Sequence, residues 1–495
     1  MALRGAVLAL ANLQLPAPVA PITDATGASP APPARVLVVV IDGLRADVAA
    51  ELPFVRELGD RGARAELTSE APVFSSAQYV SMLTGVPPRD SGVRTNVGLE
   101  RTPLDNVARR LRAAGRRSVE IGDQVDWWRT LFGDDIATTR VTAPDALPAA
   151  AIALMPGADL LLVHLCDVDR AGHDAGAASA AYRTAARAAD DETRRLAEAW
   201  GWPAANVVVL ADHGHTWRGG HGGDETDVRR SFFAAGGPAI AAGARGDAGR
   251  MRMIDVAPTL AAMLGVPAPA TAQGHAWLDA LALAAPVRAA LASADAIRSA
   301  GATAAATAAR GPLTRVEQRA RVLRLGGCIA MLVAIGLTVR HSWRAACLGL
   351  TCGAAAVALT AAAFAWRFGA PSFSADRTSE RLAYVTGLIA AVACAIAFAP
   401  AFVAVMRRRL TAAHAAAAAL CAAVGAAPAA MVAFVAAGLF GPRLACEPGW
   451  LAALPLVAYV AYVPALLAAA LLVGVAVAIE AVASVAATAT SRHRS

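Results

Sequence analysis

The feature that most constrains this chain is its division into two chemically different stretches. Most of the acidic residues precede about residue 310, whereas residues 321 to 485 form a succession of long Ala/Leu/Val-rich runs with few charges. Runs near 322–339, 345–366, 382–406, 413–440 and 451–485 are close to or above the roughly 20 residues that carry a helix across a bilayer. An all-α bundle of about five transmembrane helices is therefore expected over 321–488. The last run carries Pro455 and Pro464 and reads as one kinked helix or a tight hairpin.

Charge placement gives the orientation. Arg340 with Arg344, Arg407 to Arg409, and Arg492 with Arg494 would share one side, the cytoplasm, by the positive-inside rule. This leaves 489–495 as a cytoplasmic tail and puts the polar domain outside the cytoplasm, in a multi-pass protein of the cytoplasmic membrane. Arg310, Arg315, Arg319, Arg321 and Arg324 precede the first span on its outer side and run against the rule, which long translocated domains weaken. The formal net charge of +7 is explained by arginines flanking apolar runs, so no nucleic-acid partner is expected. The seven Cys form no CxxC pair, and only Cys166 lies in the polar half, so they read as small apolar fillers.

Residues 1–34 combine Arg4, a short apolar stretch and a Pro/Ala-rich linker, as in a signal peptide or an anchor. From Arg35 the pattern is α/β. Residues 35–41 (RVLVVVI) form a continuous apolar strand, as in a parallel sheet covered on both faces, and 118–121, 159–166 and 206–211 repeat that pattern. Helical stretches at 104–114, 177–200 and 253–264 alternate with them, so 35–285 is expected to be a doubly wound, mostly parallel sheet with its site at the strand C-termini. An Ala-rich helical connector covers 286–320.

Six of the nine His lie between 164 and 275. Asp42 ends the first strand, Asp169 and His173 follow the strand ending at Cys166, and Asp212 and His213 follow the strand ending at Ala211. Asp169 and His173, four apart on an expected tight turn, can converge on one metal. Asp212 and His213 can do so only where the backbone turns, which Gly214 allows. Ser75, in the block Pro72-Val73-Phe74-Ser75-Ser76-Ala77-Gln78, would begin a helix whose free N–H groups stabilise an alkoxide or a phosphate oxygen. Taken singly, Asp42 is an ordinary turn former and Ser75 an ordinary helix cap. The common position of the three acidic or acidic/His clusters at strand ends is what points to chemistry.

These elements together resemble the alkaline phosphatase superfamily, nearest its type I phosphodiesterase/nucleotide pyrophosphatase branch and the ethanolamine-phosphate transferases of GPI-anchor synthesis. The resemblance runs from Val36 to about Leu278. Besides the clusters above it includes Thr84-Gly85, Ser91-Gly92…Asn96, Gly220-His221-Gly222-Gly223 and Ile254-Asp255…Pro258-Thr259-Leu260. It implies an alkaline-phosphatase-like fold and two divalent metal ions, zinc by that resemblance and by the mixed His/Asp donors. It also implies that Asp42, Asp212 and His213 hold one ion with Ser75 as its nucleophilic ligand, that Asp169, His173 and His221 hold the other with His275 in reserve, and that Gln78 and Asn96 contact the phosphoryl group. His215 stands where Met is common in relatives, and Ala77 and Tyr79 break the sulfatase Cys/Ser-x-Pro-x-Arg pattern. His164, inside a strand, is expected in the core or behind the ligands.

The expected function is a membrane-anchored two-metal phosphodiesterase or phosphoethanolamine-type transferase. It would act through a phosphoserine on a lipid or lipid-linked phosphodiester. A tethered nucleotide pyrophosphatase and a catalytically inactive membrane scaffold are the alternatives.

Overall fold

The computed structural model describes residues 29–94, 96, 99–122, 125–141, 146–309, 343–368, 380–407, 411–425 and 449–492. The chain divides into two compact units, residues 1–314 and 315–495.

The first unit is built on one eight-stranded sheet. Its strands are β1 (Val36–Ile41), β2 (Ala63–Thr68), β3 (Ser118–Gly122), β4 (Ala137–Arg140), β5 (Leu160–Leu165), β6 (Asn206–Leu210), β7 (Arg230–Gly236) and β8 (Ala244–Arg252), in the order β4-β3-β5-β1-β6-β7-β2-β8. Only β7 runs against the others, pairing antiparallel with both β6 and β2. The expected doubly wound, mostly parallel sheet is present, and the four strands read from apolar runs are its central strands.

β1 pairs in parallel with β5 and β6, and all six of its residues are fully buried. Such a strand has no polar face, and Val, Leu and Ile satisfy both helical layers at once. On one side Leu37, Val39, Ile41, Leu161, Val163, Val207 and Val209 pack with Phe54, Leu58, Tyr182, Leu196 and Trp200 of the helices Pro53–Arg61 and Ala180–Trp200. The outer strands β2, β4, β7 and β8 escape the apolar-run criterion. β2 (ARAELT) alternates buried and partly exposed residues, which is the weaker period-two signal of a sheet margin.

In the second unit the described helices are Trp343–Phe368, Glu380–Met406, Ala412–Gly425 and Gly449–Arg492. They pack through small side chains, among them Ala345, Cys352, Ala356, Ala401, Ala415, Ala418 and Ala469. That chemistry lets helix backbones approach closely where no hydrophobic effect drives association. Leu388, Val392, Ile396 and Val403 form an exposed apolar stripe along one helix. Three segments, Trp343–Thr360, Leu388–Met406 and Pro464–Val485, are long and apolar enough to cross a membrane. The expected span at 322–339 lies outside the described residues. That at 413–440 is described only as far as Gly425.

Candidate active site

The C-terminal ends of three adjacent central strands carry the polar residues of the site. Asp42 follows β1, Asp169 lies shortly after β5, and Asp212 and His213 follow β6. Adjacent parallel strands deliver their following residues to one edge of the sheet, so groups far apart in sequence meet there. Asp42, Asp212 and His213 present ligand-capable atoms all within 4.8 Å of one another, as do Asp169, His173 and His221. Ser75 opens the helix Ser75–Thr84, and its Oγ is 3.2 Å from His213 Nε2.

One local expectation is corrected, and the reason for Gly214 is sharpened. Asp169 and His173 sit not on a tight turn but on the helix Asp167–Ala175, where a four-residue spacing stacks two side chains on one face; His173 Nε2 is 3.4 Å from Asp169 Oδ2. Gly214 does not have a positive φ. A Cβ there would fall 2.2 Å from the Asp227 carbonyl, so it is close backbone packing that excludes a side chain.

The histidines are oriented from behind. His213 Nδ1 is 3.0 Å from the Gly214 carbonyl and His221 Nδ1 2.9 Å from the Val73 carbonyl. With Nδ1–H donating in each case, both Nε2 lone pairs face the site. His221 Nε2 lies 3.1 Å from His173 Nε2. Asp42 is held by Oδ2, which accepts from Tyr79 Oη at 2.6 Å and lies 2.8 Å from His164 Nε2. Asp212 Oδ1 accepts from the backbone N–H groups of Gly43 and His213. The other carboxylate oxygens, Asp42 Oδ1 and Asp212 Oδ2, are buried with no hydrogen-bond partner. Two orphaned carboxylate oxygens beside lone-pair nitrogens are a donor set suited to cations.

Electrostatics agree. Burial, reinforced by the Asp42 charge, pushes the Asp212 carboxyl well above its ordinary range despite the backbone donors. Burial also raises Asp169, but the charge of His173 and the hydrogen bond from His215 outweigh it and hold that carboxyl well below. Burial pushes His213 down, His221 well down, and His215 to about 4, so these rings are neutral near pH 7.

The remaining expected residues behave differently. Gln78 is fully buried, and its amide nitrogen donates to the Glu70 and Pro72 carbonyls, stapling the loop before Ser75. Asn96 Oδ1 accepts from the N–H and hydroxyl of Ser76, capping the helix beside Ser75. His275 stands apart, bonded to Asp295 and Ser299. Cys166 is not a simple filler, since its Sγ lies 3.5 Å from His164 Nδ1. Tyr79 was missed, although its place one helical turn after Ser75 put it on the same face. It stacks on Trp128 with centroids 4.4 Å apart.

Residues 36–143 and 107–218 match the family described as type I phosphodiesterase / nucleotide pyrophosphatase. Among curated proteins the chain is similar to the catalytic subunit of mouse GPI ethanolamine phosphate transferase 3, 26% identical over 271 residues, 48% of this chain and 24% of that protein. It is likewise similar to the catalytic subunit of human GPI ethanolamine phosphate transferase 2, 25% identical over 272 residues, 48% of this chain and 27% of that one. The match thus spans about a quarter of the length of these relatives. Among solved structures, murine ectonucleotide pyrophosphatase / phosphodiesterase 5 aligns at 14% identity and a TM-score of 0.41, covering 48% of this chain and 96% of that one. The first unit is related in sequence to type I phosphodiesterases / nucleotide pyrophosphatases and to GPI ethanolamine phosphate transferases, the kinship read from its motifs.

Proposed function

We propose that the chain is a membrane-anchored phosphodiester hydrolase or phosphoethanolamine-type transferase that works through Ser75. The observation that carries this reading is the Ser75 hydroxyl beside His213 Nε2, flanked by the two Asp/His groups. Asp42, Asp212 and His213 would hold one divalent cation and Asp169, His173 and His221 a second, zinc being favoured by the mixed carboxylate and imidazole donors. When bound, such a pair lowers the pKa of a hydroxyl and stabilises charge on a leaving oxygen. Ser75 Oγ attacks phosphorus and gives its proton to solvent, while the bond from phosphorus to the leaving oxygen breaks and that alkoxide takes a proton from solvent and departs as the alcohol. An acceptor alcohol or water then attacks the phosphoserine and returns the serine. Asn96 holds the Ser76 end of the helix while Tyr79 and His164 hold Asp42, so nucleophile and carboxylate keep their spacing.

A lipid or lipid-linked phosphodiester is the substrate class that the apolar second unit and the similarity to GPI ethanolamine phosphate transferases support. The arginine distribution supports a multi-pass topology with the catalytic unit outside the cytoplasm. The detergent-solubilised protein would be incubated with a nitrophenyl phosphodiester and, separately, with labelled phosphatidylethanolamine. Head-group transfer with a trapped phosphoserine, and a loss on the order of a thousandfold or more in Ser75→Ala, are expected. Full turnover by that variant would remove Ser75 from the mechanism. Hydrolysis of the soluble diester with no lipid turnover would replace the transferase with a tethered phosphodiesterase.

A further inference from the structure

His215 is fully buried and lies outside the two Asp/His groups assigned to cations, although its ring comes within 4.8 Å of ligand-capable atoms of Asp169 and His213. Its Nε2 lies 2.8 Å from Asp169 Oδ1, nearer than His221 Nε2 at 3.6 Å from the same oxygen. Asp169 Oδ2 faces His173 instead. His215 Nδ1 is buried with no hydrogen-bond partner. A ring with one nitrogen on a carboxylate and the other buried without a partner carries its proton on the first, because a lone pair on the second leaves no donor unsatisfied. His215 Nε2–H therefore donates to Asp169.

The backbone makes room for this ring. A Cβ at Gly172, on the same helix as Asp169, would fall 2.6 Å from His215 Nε2, and a Cβ at Gly43 would fall 2.8 Å from that nitrogen. The Gly43 Cβ would also fall 3.0 Å from Asp169 Oδ1, so this glycine yields space to both partners of the bond. The main chain is tied down from outside. Arg45 Nη1 donates to the His215 carbonyl at 2.8 Å, and Tyr182 Oη donates to the Gly43 carbonyl at 2.6 Å. A methionine side chain would fill a similar volume and could not donate.

We infer that His215 is a positioning residue for Asp169, fixing the carboxylate by a hydrogen bond to Oδ1 so that its remaining lone pairs converge with His173 and His221 on one divalent cation. The inference rests on the proposed reading of Asp169 as a cation ligand. It predicts an effect confined to one of two cation sites, since the Asp42, Asp212 and His213 carboxylates and ring are oriented by Tyr79, Gly43 and Gly214 instead.

The test is zinc titration of the full-length, detergent-solubilised protein against a competing chelator, with kcat and KM on a nitrophenyl phosphodiester recorded beside it. His215→Met is expected to weaken one of two zinc sites by about tenfold to a hundredfold, the usual effect of removing such a hydrogen bond to a ligand, and to leave the other unchanged. His215→Gln, whose amide can donate from nearly the same place, is expected to recover most of that loss, and kcat should fall in the Met variant more than KM rises. Should His215→Met fail to fold, His215→Ala, which underfills the site, is read in the same way. Two zinc sites of unchanged affinity and unchanged kcat in whichever variant folds would overturn the inference and reduce His215 to a space-filling residue. Asp169→Asn separates the two ideas: if it too leaves both sites intact, the assignment of Asp169 as a ligand fails; if it loses one site while the His215 variants do not, only the role of His215 fails.

Discussion

At the residue scale, the site is a set of buried groups whose protonation is fixed by their neighbours. Tyr79 illustrates this. Burial and the Asp42 charge push its phenol well above the ordinary value of 10.0, so it remains a neutral donor to Asp42 at any working pH. Tyr79→Phe removes that donor while leaving the ring stacked on Trp128. Cation affinity at the Asp42 site should then fall about tenfold to a hundredfold, as read by equilibrium dialysis. Unchanged affinity would mean that His164 alone suffices to orient the carboxylate. The histidines give a pH prediction for the chelated protein. His213, His215 and His221 have folded pKa values below the ordinary 6.5, so the unfolded state binds more protons below that pH. Their contribution to stability is complete above pH 6.5 and is lost as pH falls through the folded values, that of His215 being about 4. Asp212 has the opposite sign: its carboxyl is raised above 3.8, so its contribution is present below that pH and declines as pH rises. Three rings against one carboxyl should make the melting temperature of the first unit, followed by tryptophan fluorescence in chelator, climb between pH 4 and 6.5. A flat or falling profile would show that the rings are not held neutral.

At the scale of elements, legibility followed burial. β1, β5 and β6 are covered on both faces, so each is a near-continuous apolar run that could be read without any tertiary information. The clusters at their ends were legible for the same reason. Asp169 and His173 were placed correctly in sequence but in the wrong local structure, because Asp167 to Gly172 is polar and glycine-bearing and its helical period emerges only over the full nine residues. Tyr79 and His215 were passed over because their roles depend on contacts with Asp42 and Asp169, at separations of 37 and 46 residues, which no local pattern records. The apolar helices follow a different rule, in which small residues mark contact. A Cβ at Gly349, on the helix Trp343–Phe368, would lie 2.0 Å from the Ala418 carbonyl on the helix Ala412–Gly425. Gly349→Leu must therefore force these helices apart. The expected result is a lower melting temperature and lower yield of the detergent-solubilised protein. A wild-type melting curve would mean that the two helices do not meet at this point.

At the scale of the whole molecule, the two units present different surfaces to their surroundings. The first unit buries most of its apolar residues around the sheet, while the second leaves Leu388, Val392, Ile396, Leu467, Leu471, Val482 and Val485 exposed. Contiguous exposed apolar rows of this kind are unfavourable in water and favourable in hydrocarbon, which is the character of helices long and apolar enough to cross a membrane. The consequence for function concerns access. A soluble diester is supplied from water, whereas a phospholipid donor is concentrated in a bilayer. Reconstitution into liposomes containing phosphatidylethanolamine should therefore raise turnover of that lipid by about tenfold or more over the same protein in detergent, through the gain in local concentration. Turnover of a nitrophenyl phosphodiester should change little. Equal acceleration of both substrates would assign the effect to the stability of the protein in lipid, and acceleration of neither would separate the membrane unit from catalysis and favour a tethered phosphodiesterase of soluble substrates.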